Sequence, residues 1–199
     1  MNPFSRMMVT AALASCALAV SAQTTRIKGT IEQAEEGALK LKLSDGSQSR
    51  LVLGPGAHVI VVVKASLSDI KEGAFIASGA TPQPDGTQRA AEVRIFPEEM
   101  RGVGEGHRPY AAIPQGTMTN GTAVGSMVKG VAGSTITVKY KGGEKKIVVG
   151  PNTPIVKYIV SDKSELKQGA SVNITNAVKK PDGTFEAARI QVGRDGLVL

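Results

Sequence analysis

The chain has 199 residues, with 24 Lys and Arg against 17 Asp and Glu, 23 Gly, 10 Pro, one Cys and no Trp. A single cysteine excludes intramolecular disulfides and Cys-rich zinc centres. The formal net charge is +7, but the aromatic content of 4% disfavours nucleic acid as a partner, because aromatic platforms for base stacking are scarce.

The N-terminus has the pattern of a secretory signal peptide. A short region that contains Arg6 precedes an apolar run from Met7 to Ala19, and Val20-Ser21-Ala22 supplies the small residues that signal peptidase requires. The run is shorter than the ~20 residues that span a bilayer. Residues 1–22 are therefore predicted to be a cleaved signal helix. The mature chain is expected in the bacterial periplasm or outside the cell, without a transmembrane segment.

A lipid anchor is the alternative. Leu13-Ala14-Ser15-Cys16 resembles a bacterial lipobox, and cleavage before Cys16 would give a membrane-anchored lipoprotein. The apolar run continues beyond Cys16, which favours ordinary cleavage before Gln23. After that cleavage the mature chain contains no cysteine.

The sequence matches itself after a shift of 96 positions. Gly54-Pro55 falls on Gly150-Pro151, and residues 68–74 fall on 164–170; after one insertion, a shift of 97 places 84–87 on 181–184. Gly29 falls on Gly125 in the same alignment. Such self-similarity indicates duplication. The predicted division is repeat 1 over 25–96, a Gly/Pro-rich linker over 97–122, and repeat 2 over 123–199.

Within each copy the apolar residues alternate, as in β-strands with one buried face. Leu39, Leu41 and Leu43 alternate with lysines, whereas the continuous apolar run at 59–63 predicts a strand covered on both faces. Ser66 or Ser68 is expected to cap one helical turn, with Ile70 in the core and Gly73 in a left-handed conformation. The predicted fold class is all-β: two tandem small antiparallel β-barrels, OB-like, each with one short helical turn.

The turn sequences resemble the bacterial exported family catalogued as domain of unknown function 5666. The resemblance rests on Gly54-Pro55, the turn at 68–73 and the strand entry at 85–91, with their counterparts at 150–151, 164–169 and 182–188. It covers two tandem copies and implies a small OB-like barrel and an envelope location. It implies no activity, and no functional residue is carried over.

The linker offers the first candidate site. Imidazole and carboxylates are ligands for divalent metals, and this segment combines one histidine with three glutamates. The predicted ligands are His107, Glu98, Glu99 and Glu105, within residues 98–110. The opposing interpretation is a solvated connector, because no second His stands at ligand spacing.

Basic residues offer the second candidate site. Repeat 1 has nine basic and eight acidic residues, whereas residues 123–199 have twelve and six. Two explanations stay open: lysines that protect exposed sheet edges from aggregation, or a basic face that binds a polyanion. The partner-binding residues on the second interpretation are Lys139, Lys141, Lys145, Lys146, Lys179 and Lys180.

No cofactor and no catalytic residue is predicted. The turn aspartates have local structural explanations, and the Gly-x-Ser-x-Gly motif of hydrolases is absent. The sequence therefore favours a non-enzymatic binding or scaffolding protein of the bacterial envelope, which recognises an envelope protein or an anionic envelope polymer. The alternative is a divalent-metal-binding periplasmic protein. A hydrolase is the third and least supported option.

Overall fold

The computed structural model describes residues 24–131 and 133–199, so the predicted signal peptide, its cleavage site and Cys16 lie outside the described residues. Within those ranges, no helix has the length and hydrophobicity to cross a membrane. The described residues form twelve β-strands and three single turns of 3₁₀ helix, which makes the fold all-β as predicted. The strands are β1 (Thr24–Glu35), β2 (Ala38–Leu43), β3 (Gln48–Lys64), β4 (Phe75–Pro82), β5 (Gln88–Ile95), β6 (Gly106–Pro109), β7 (Thr117–Gly130), β8 (Gly133–Tyr140), β9 (Gly143–Val149), β10 (Ile155–Ser161), β11 (Ser171–Lys179) and β12 (Phe185–Gly193).

Five strands form a closed β-barrel, which we call the first ring. β2 pairs antiparallel with β1 and β3, β11 pairs antiparallel with β1 and β12, and β12 returns to β3 in a parallel pairing. Closure leaves no free edge in this set of strands. The side chains that fill it are apolar and almost fully buried, among them Ile31, Leu41, Leu51, Ile174 and Ile190.

Five other strands pair in a second cycle, which we call the second ring. β4 pairs with β5 and β7, and β8 pairs with β7 and β9. The cycle returns through two parallel residue pairs between β5 and β9, Gln88–Ile147 and Arg89–Val148. Its interior contains a separate apolar cluster that includes Ile76, Val93 and Val138.

Each ring combines strands from both halves of the sequence. The first ring takes β1–β3 from residues 25–96 and β11–β12 from residues 123–199, whereas the second takes β7–β9 from the later half and β4–β5 from the earlier half. The predicted division into one barrel over 25–96 and one over 123–199 therefore does not match the strand pairing, because each ring takes three strands from one half and a two-stranded hairpin from the other; we call this arrangement the hairpin exchange. The predicted linker boundary also moves, because 117–122 belong to β7.

The crossing strands pair with each other between the rings. The end of β3 runs antiparallel to β10, and Val62 lies opposite Tyr158. A shift of 96 aligns these two positions in the sequence. The flanking parallel pairs are also equivalent, since Ile190 lies beside Val59 and Val93 lies beside Ile155. The strand pairings on the two sides of Val62 and Tyr158 therefore involve positions that the shift aligns.

The apolar run at 59–63 is covered on both faces, as predicted. Val59 and Val61 point into the core of the first ring. Ile60 and Val62 belong to a third apolar cluster between the rings, together with Met100, Tyr158 and partly buried neighbours that include Phe96. Two covered faces explain why this strand lacks the alternation seen in β2.

The helical-turn prediction is confirmed for the first copy. A 3₁₀ turn spans Leu67–Asp69 after the N-cap Ser66, and Asp69 Oδ2 accepts a hydrogen bond from the Ser66 amide at 2.7 Å. Ile70 is 4% exposed within the core of the second ring. Gly73 adopts a φ of 81°, which favours glycine.

The structure corrects one glycine match. A Cβ at Gly29 would lie 2.4 Å from the Lys42 carbonyl oxygen, and a Cβ at Gly121 would lie 2.4 Å from that of Lys139. Gly125, which the sequence aligns with Gly29, faces open space. An irregularity in β7 between Val124 and Val128 displaces the alignment at this point, so Gly121 is the structural counterpart of Gly29.

Candidate functional site

The segment 98–109, which we call the strap, is built into the fold. It begins with a 3₁₀ turn at Glu98–Met100 and continues to β6, which pairs antiparallel with the start of β7. Met100 is 8% exposed and packs in the cluster between the rings. The strap therefore has a packing role that the description of a solvated connector does not capture.

The two glutamates at the start of the strap point to different surroundings. Glu98 forms an ion pair with Arg101, and this hydrogen bond holds the pKa of the Glu98 carboxyl below its usual value. Glu99 lines a separate cavity of about 240 Å³ together with His58 and Arg189. Neither carboxylate is placed beside the strap histidine.

His107 and Glu105 are also occupied separately. His107 Nδ1 lies 2.8 Å from Thr119 Oγ1, and its ring stacks on Tyr140 with centroids 6.2 Å apart. Glu105 Oε1 accepts a hydrogen bond from the Lys141 amide at 2.9 Å. Throughout residues 24–131 and 133–199, no three His, Cys, Asp or Glu side chains are grouped to hold a metal. The predicted ligand set Glu98, Glu99, Glu105 and His107 does not come together.

The six predicted binding lysines do not share one face. Four lie on the β8–β9 hairpin of the second ring, where Glu144 rather than a lysine stands opposite Lys139. Lys179 is the last residue of β11 in the first ring, and Lys180 follows it. Lys180 pairs with Glu186 at 2.6 Å. The exchange also evens out the charge. Residues 24–64 and 162–199 contain twelve basic and nine acidic residues, and 65–161 contain eleven and eight.

Cations from both rings converge instead on a cleft of about 310 Å³, which we call the inter-ring cleft. One wall is formed by β1 and β11 of the first ring, and the other by β5 and the loop after β6. Arg26 and Lys28 come from β1, Arg94 comes from β5, and Glu92 is the single acidic residue of the lining. The lining thus carries a net positive charge.

Arg94 is held in position by its neighbours. Its guanidinium pairs with Glu92 and lies 3.3 Å from the Tyr110 hydroxyl, and its side chain is 25% exposed. Burial disfavours the charged form, but the Tyr158 and Glu92 oxygens outweigh it, so the pKa of Arg94 is raised. The cleft therefore contains a fixed cation whose orientation does not depend on a ligand.

Neutral polar groups continue along the first-ring wall. Asn173 Nδ2 donates to Gln191 Oε1 at 2.6 Å, and Gln191 Nε2 donates to the Tyr158 hydroxyl at 3.2 Å. Burial raises the pKa of the Tyr158 hydroxyl above its ordinary value. The Asn173 Oδ1 atom is buried and has no hydrogen-bond partner among the described residues.

A glycine on the outer face of β4 allows the opposite wall to approach. A Cβ at Gly79 would lie 3.1 Å from Ile113 Cδ1 and 3.2 Å from Tyr110 Cε1. The loop that carries these two residues is closed by a hydrogen bond from the Tyr110 amide to the Gly116 carbonyl at 2.8 Å. Gly79 thus lets the loop pack closely and places Tyr110 beside Arg94.

Sequence reasoning missed this cleft, although one signal was present. With the shift of 97, Arg94 aligns with Gln191 and Glu92 aligns with Arg189. Charge therefore differs between the copies on otherwise similar strands. The difference becomes interpretable only in the folded chain, where Gln191 donates a hydrogen bond to the Tyr158 hydroxyl and Tyr158 interacts electrostatically with Arg94.

A larger apolar groove of about 650 Å³ lies at one end of the second ring, beside the exposed Val131. Among the described residues of its lining, Lys129 is the one that is charged. Binding sites combine apolar walls with a few converging polar groups, and the inter-ring cleft meets that description better.

No protein-family model, curated protein or solved structure matches this chain. The resemblance to the family of unknown function 5666 therefore stays a prediction from the sequence.

Proposed function

We propose that this protein is an exported, non-catalytic binding protein of the bacterial envelope, and that it recognises an anionic group of an envelope partner in the inter-ring cleft. The observation that supports this proposal most is the convergence of Arg26, Lys28 and Arg94 from two rings on one cleft. Export is supported by the signal pattern of residues 1–22.

Electrostatics favours the cleft over the lysines of the β8–β9 hairpin. Two unit charges 4 Å apart attract by ~1 kcal/mol in bulk water and by ~4 kcal/mol at the effective dielectric constant of ~20 near a protein surface. Arg94 is largely shielded from water, whereas Lys139 and Lys146 are exposed. An anion therefore gains more beside Arg94 than on the hairpin, where solvent and salt screen each lysine; Arg26 and Lys28 are also exposed, and they add to the attraction because they line the same cleft as Arg94.

The similarity of the two rings supports a recognition role for the region between them. We propose that both rings are small OB-like barrels derived from one duplicated unit. Support comes from the equivalent pairs Ile190–Val59 and Val93–Ile155 and from the matched 3₁₀ turns at Leu67–Asp69 and Lys163–Glu165. On this proposal the rings are the scaffold, and the cleft is the place where the copies have diverged in charge.

The test compares two double variants of the mature protein that remove the same charge from exposed strand positions. Arg26→Gln/Lys28→Gln alters the cleft, and Lys139→Gln/Lys146→Gln alters the hairpin. The probe is a sulfated dextran, and its affinity is measured by calorimetry at two salt concentrations. We expect the cleft variant to bind at least fivefold more weakly and the hairpin variant to stay within twofold of the wild type.

Arg94→Gln is the third variant, because it installs the residue found at the aligned position, Gln191. It is expected to weaken binding at least tenfold while the far-ultraviolet circular dichroism spectrum is unchanged. Binding that ignores salt, or that is lost in the hairpin variant and kept in the cleft variants, would overturn the proposal.

A further inference from the structure

We infer that the anionic group is the carboxylate of an acidic saccharide. This inference rests on the proposed function, because it names the ligand class of the same cleft. It follows from the combination of groups in the lining: cations alone would accept any anion, but this cleft also presents hydrogen-bond acceptors and apolar surface.

The acceptors argue against a ligand that brings only negative charge. Glu92 lies in the lining beside Arg94; its Oε1 pairs with Arg94, and its Oε2 accepts no hydrogen bond among the described residues. The hydroxyls of a sugar can donate hydrogen bonds to that oxygen, which an anion without neighbouring hydroxyls cannot do.

The apolar part of the lining suits the C–H face of a sugar ring. Tyr110 and Ile113 form a joint surface beside Arg94, and Pro154 lies in the same lining. A fatty acyl chain would need a wholly apolar cavity, whereas this lining alternates charged, amide and apolar side chains. A uronate unit presents one carboxylate, several hydroxyls and an apolar face, which matches all three classes of group.

The size of the cleft limits how much of a polymer it holds. At about 310 Å³ it lies at the lower end of the ~300–1,000 Å³ range of small-ligand pockets. The cleft therefore accepts a terminal unit or a short stretch of an acidic glycan, and the rest of the chain lies outside it. The carboxylate is placed by Arg94, with Arg26 and Lys28 approaching from the other ring.

The experiment is calorimetric titration of the mature protein with three probes: trigalacturonate, the neutral maltotriose and inorganic phosphate. We expect trigalacturonate to bind, maltotriose to bind at least tenfold more weakly, and phosphate not to displace trigalacturonate at equal concentration. Asn173→Ala, which shortens a side chain of the lining, is expected to weaken trigalacturonate binding about fivefold, whereas the hairpin variant Lys139→Gln/Lys146→Gln is expected to stay within twofold of the wild type. If Asn173→Ala does not fold, the probe comparison on the wild type still decides the question.

Three results would overturn the inference, and they bear differently on the proposed function. If phosphate displaces trigalacturonate at equal concentration, the saccharide assignment fails but the anion-binding function stands. If maltotriose binds as well as trigalacturonate, the carboxylate assignment fails, and sulfated dextran binding decides whether the anion-binding function stands. If trigalacturonate does not bind, the inference fails, and the proposed function fails with it only when sulfated dextran does not bind either.

Discussion

The exchange of hairpins places Val59 beside Ile190, and it predicts that these two side chains are energetically coupled. Both are fully buried in the core of the first ring. Ile190→Ala is expected to cost ~2–5 kcal/mol of unfolding free energy, including the cavity it leaves. Val59→Ala removes two methyl groups, and each is expected to cost ~0.8 kcal/mol of unfolding free energy before any contribution from the cavity. Because the second truncation removes contacts already lost, the double variant should cost less than the sum by ~0.5–3 kcal/mol.

Val93 provides the control, because it aligns with Ile190 but lies in the core of the second ring. Without the exchange, Val93 rather than Ile190 would lie beside Val59. With the exchange, Val59→Ala and Val93→Ala should be additive within ~0.5 kcal/mol. The assay is urea-induced unfolding followed by circular dichroism for the single and double variants. Coupling of Val59 to Val93 together with additivity of Val59 and Ile190 would refute the exchange.

Two further predictions concern the strands that contact the strap. Gly121→Ala should destabilise the protein by ~1–3 kcal/mol in the same urea assay, because its Cβ would meet the backbone of Lys139. Gly130→Ala in the same strand is the control and should be close to neutral. Equal losses of unfolding free energy in the two variants would contradict the close approach at Gly121. Burial, with Lys145 nearby, lowers the pKa of His107 from its ordinary value of ~6.5, so the stability this neutral imidazole contributes is present above that value and is lost as pH falls through the lowered pKa. The wild type should therefore lose more stability between pH 7.5 and pH 5 than His107→Gln does. The control is His58→Gln, which alters an exposed histidine and should behave like the wild type. Identical pH profiles for all three proteins would refute the role of His107.

Local features of the fold could be predicted from the sequence because their causes are local. Asp85 accepts hydrogen bonds from the amide and hydroxyl of Thr87 two residues on, and Asp182 does the same with Thr184. A carboxylate, a glycine and a hydroxyl in a fixed order are enough to specify such a turn. The capped 3₁₀ turn after Ser66 and the two-faced strand at 59–63 were predictable for the same reason.

The exchange could not be predicted, because the two halves have similar strands. β5 and β12 bury the same aligned positions, Val93 with Ile190 and Ile95 with Val192, so Val59 can lie beside either Val93 or Ile190 with an apolar contact in both cases. Residue pattern decides the register of a hairpin but does not decide which of two equivalent hairpins a ring accepts. The choice depends on long-range pairing of β3 with β10, which no local pattern encodes.

The candidate site was missed for the same reason. In the sequence Arg94 belongs to repeat 1 and Gln191 to repeat 2, and the charge excess of repeat 2 drew attention to its lysines. Once the hairpins are exchanged, those lysines divide between the rings, and Arg26, Lys28 and Arg94 face one cleft. The predicted metal ligands of the strap do not come together, because each has its own partner. Glu98 pairs with Arg101, His107 with Thr119, and Glu105 with the Lys141 amide.

Nuclear magnetic resonance of the ¹⁵N-labelled mature protein, titrated with trigalacturonate, locates the ligand residue by residue. Binding between the rings predicts that the largest amide shift changes fall on Lys28, Arg94 and Asn173 and that they saturate together. Changes concentrated on the β8–β9 hairpin around Lys139 and Lys146, or changes that rise without saturation across the surface, would contradict recognition in the inter-ring cleft.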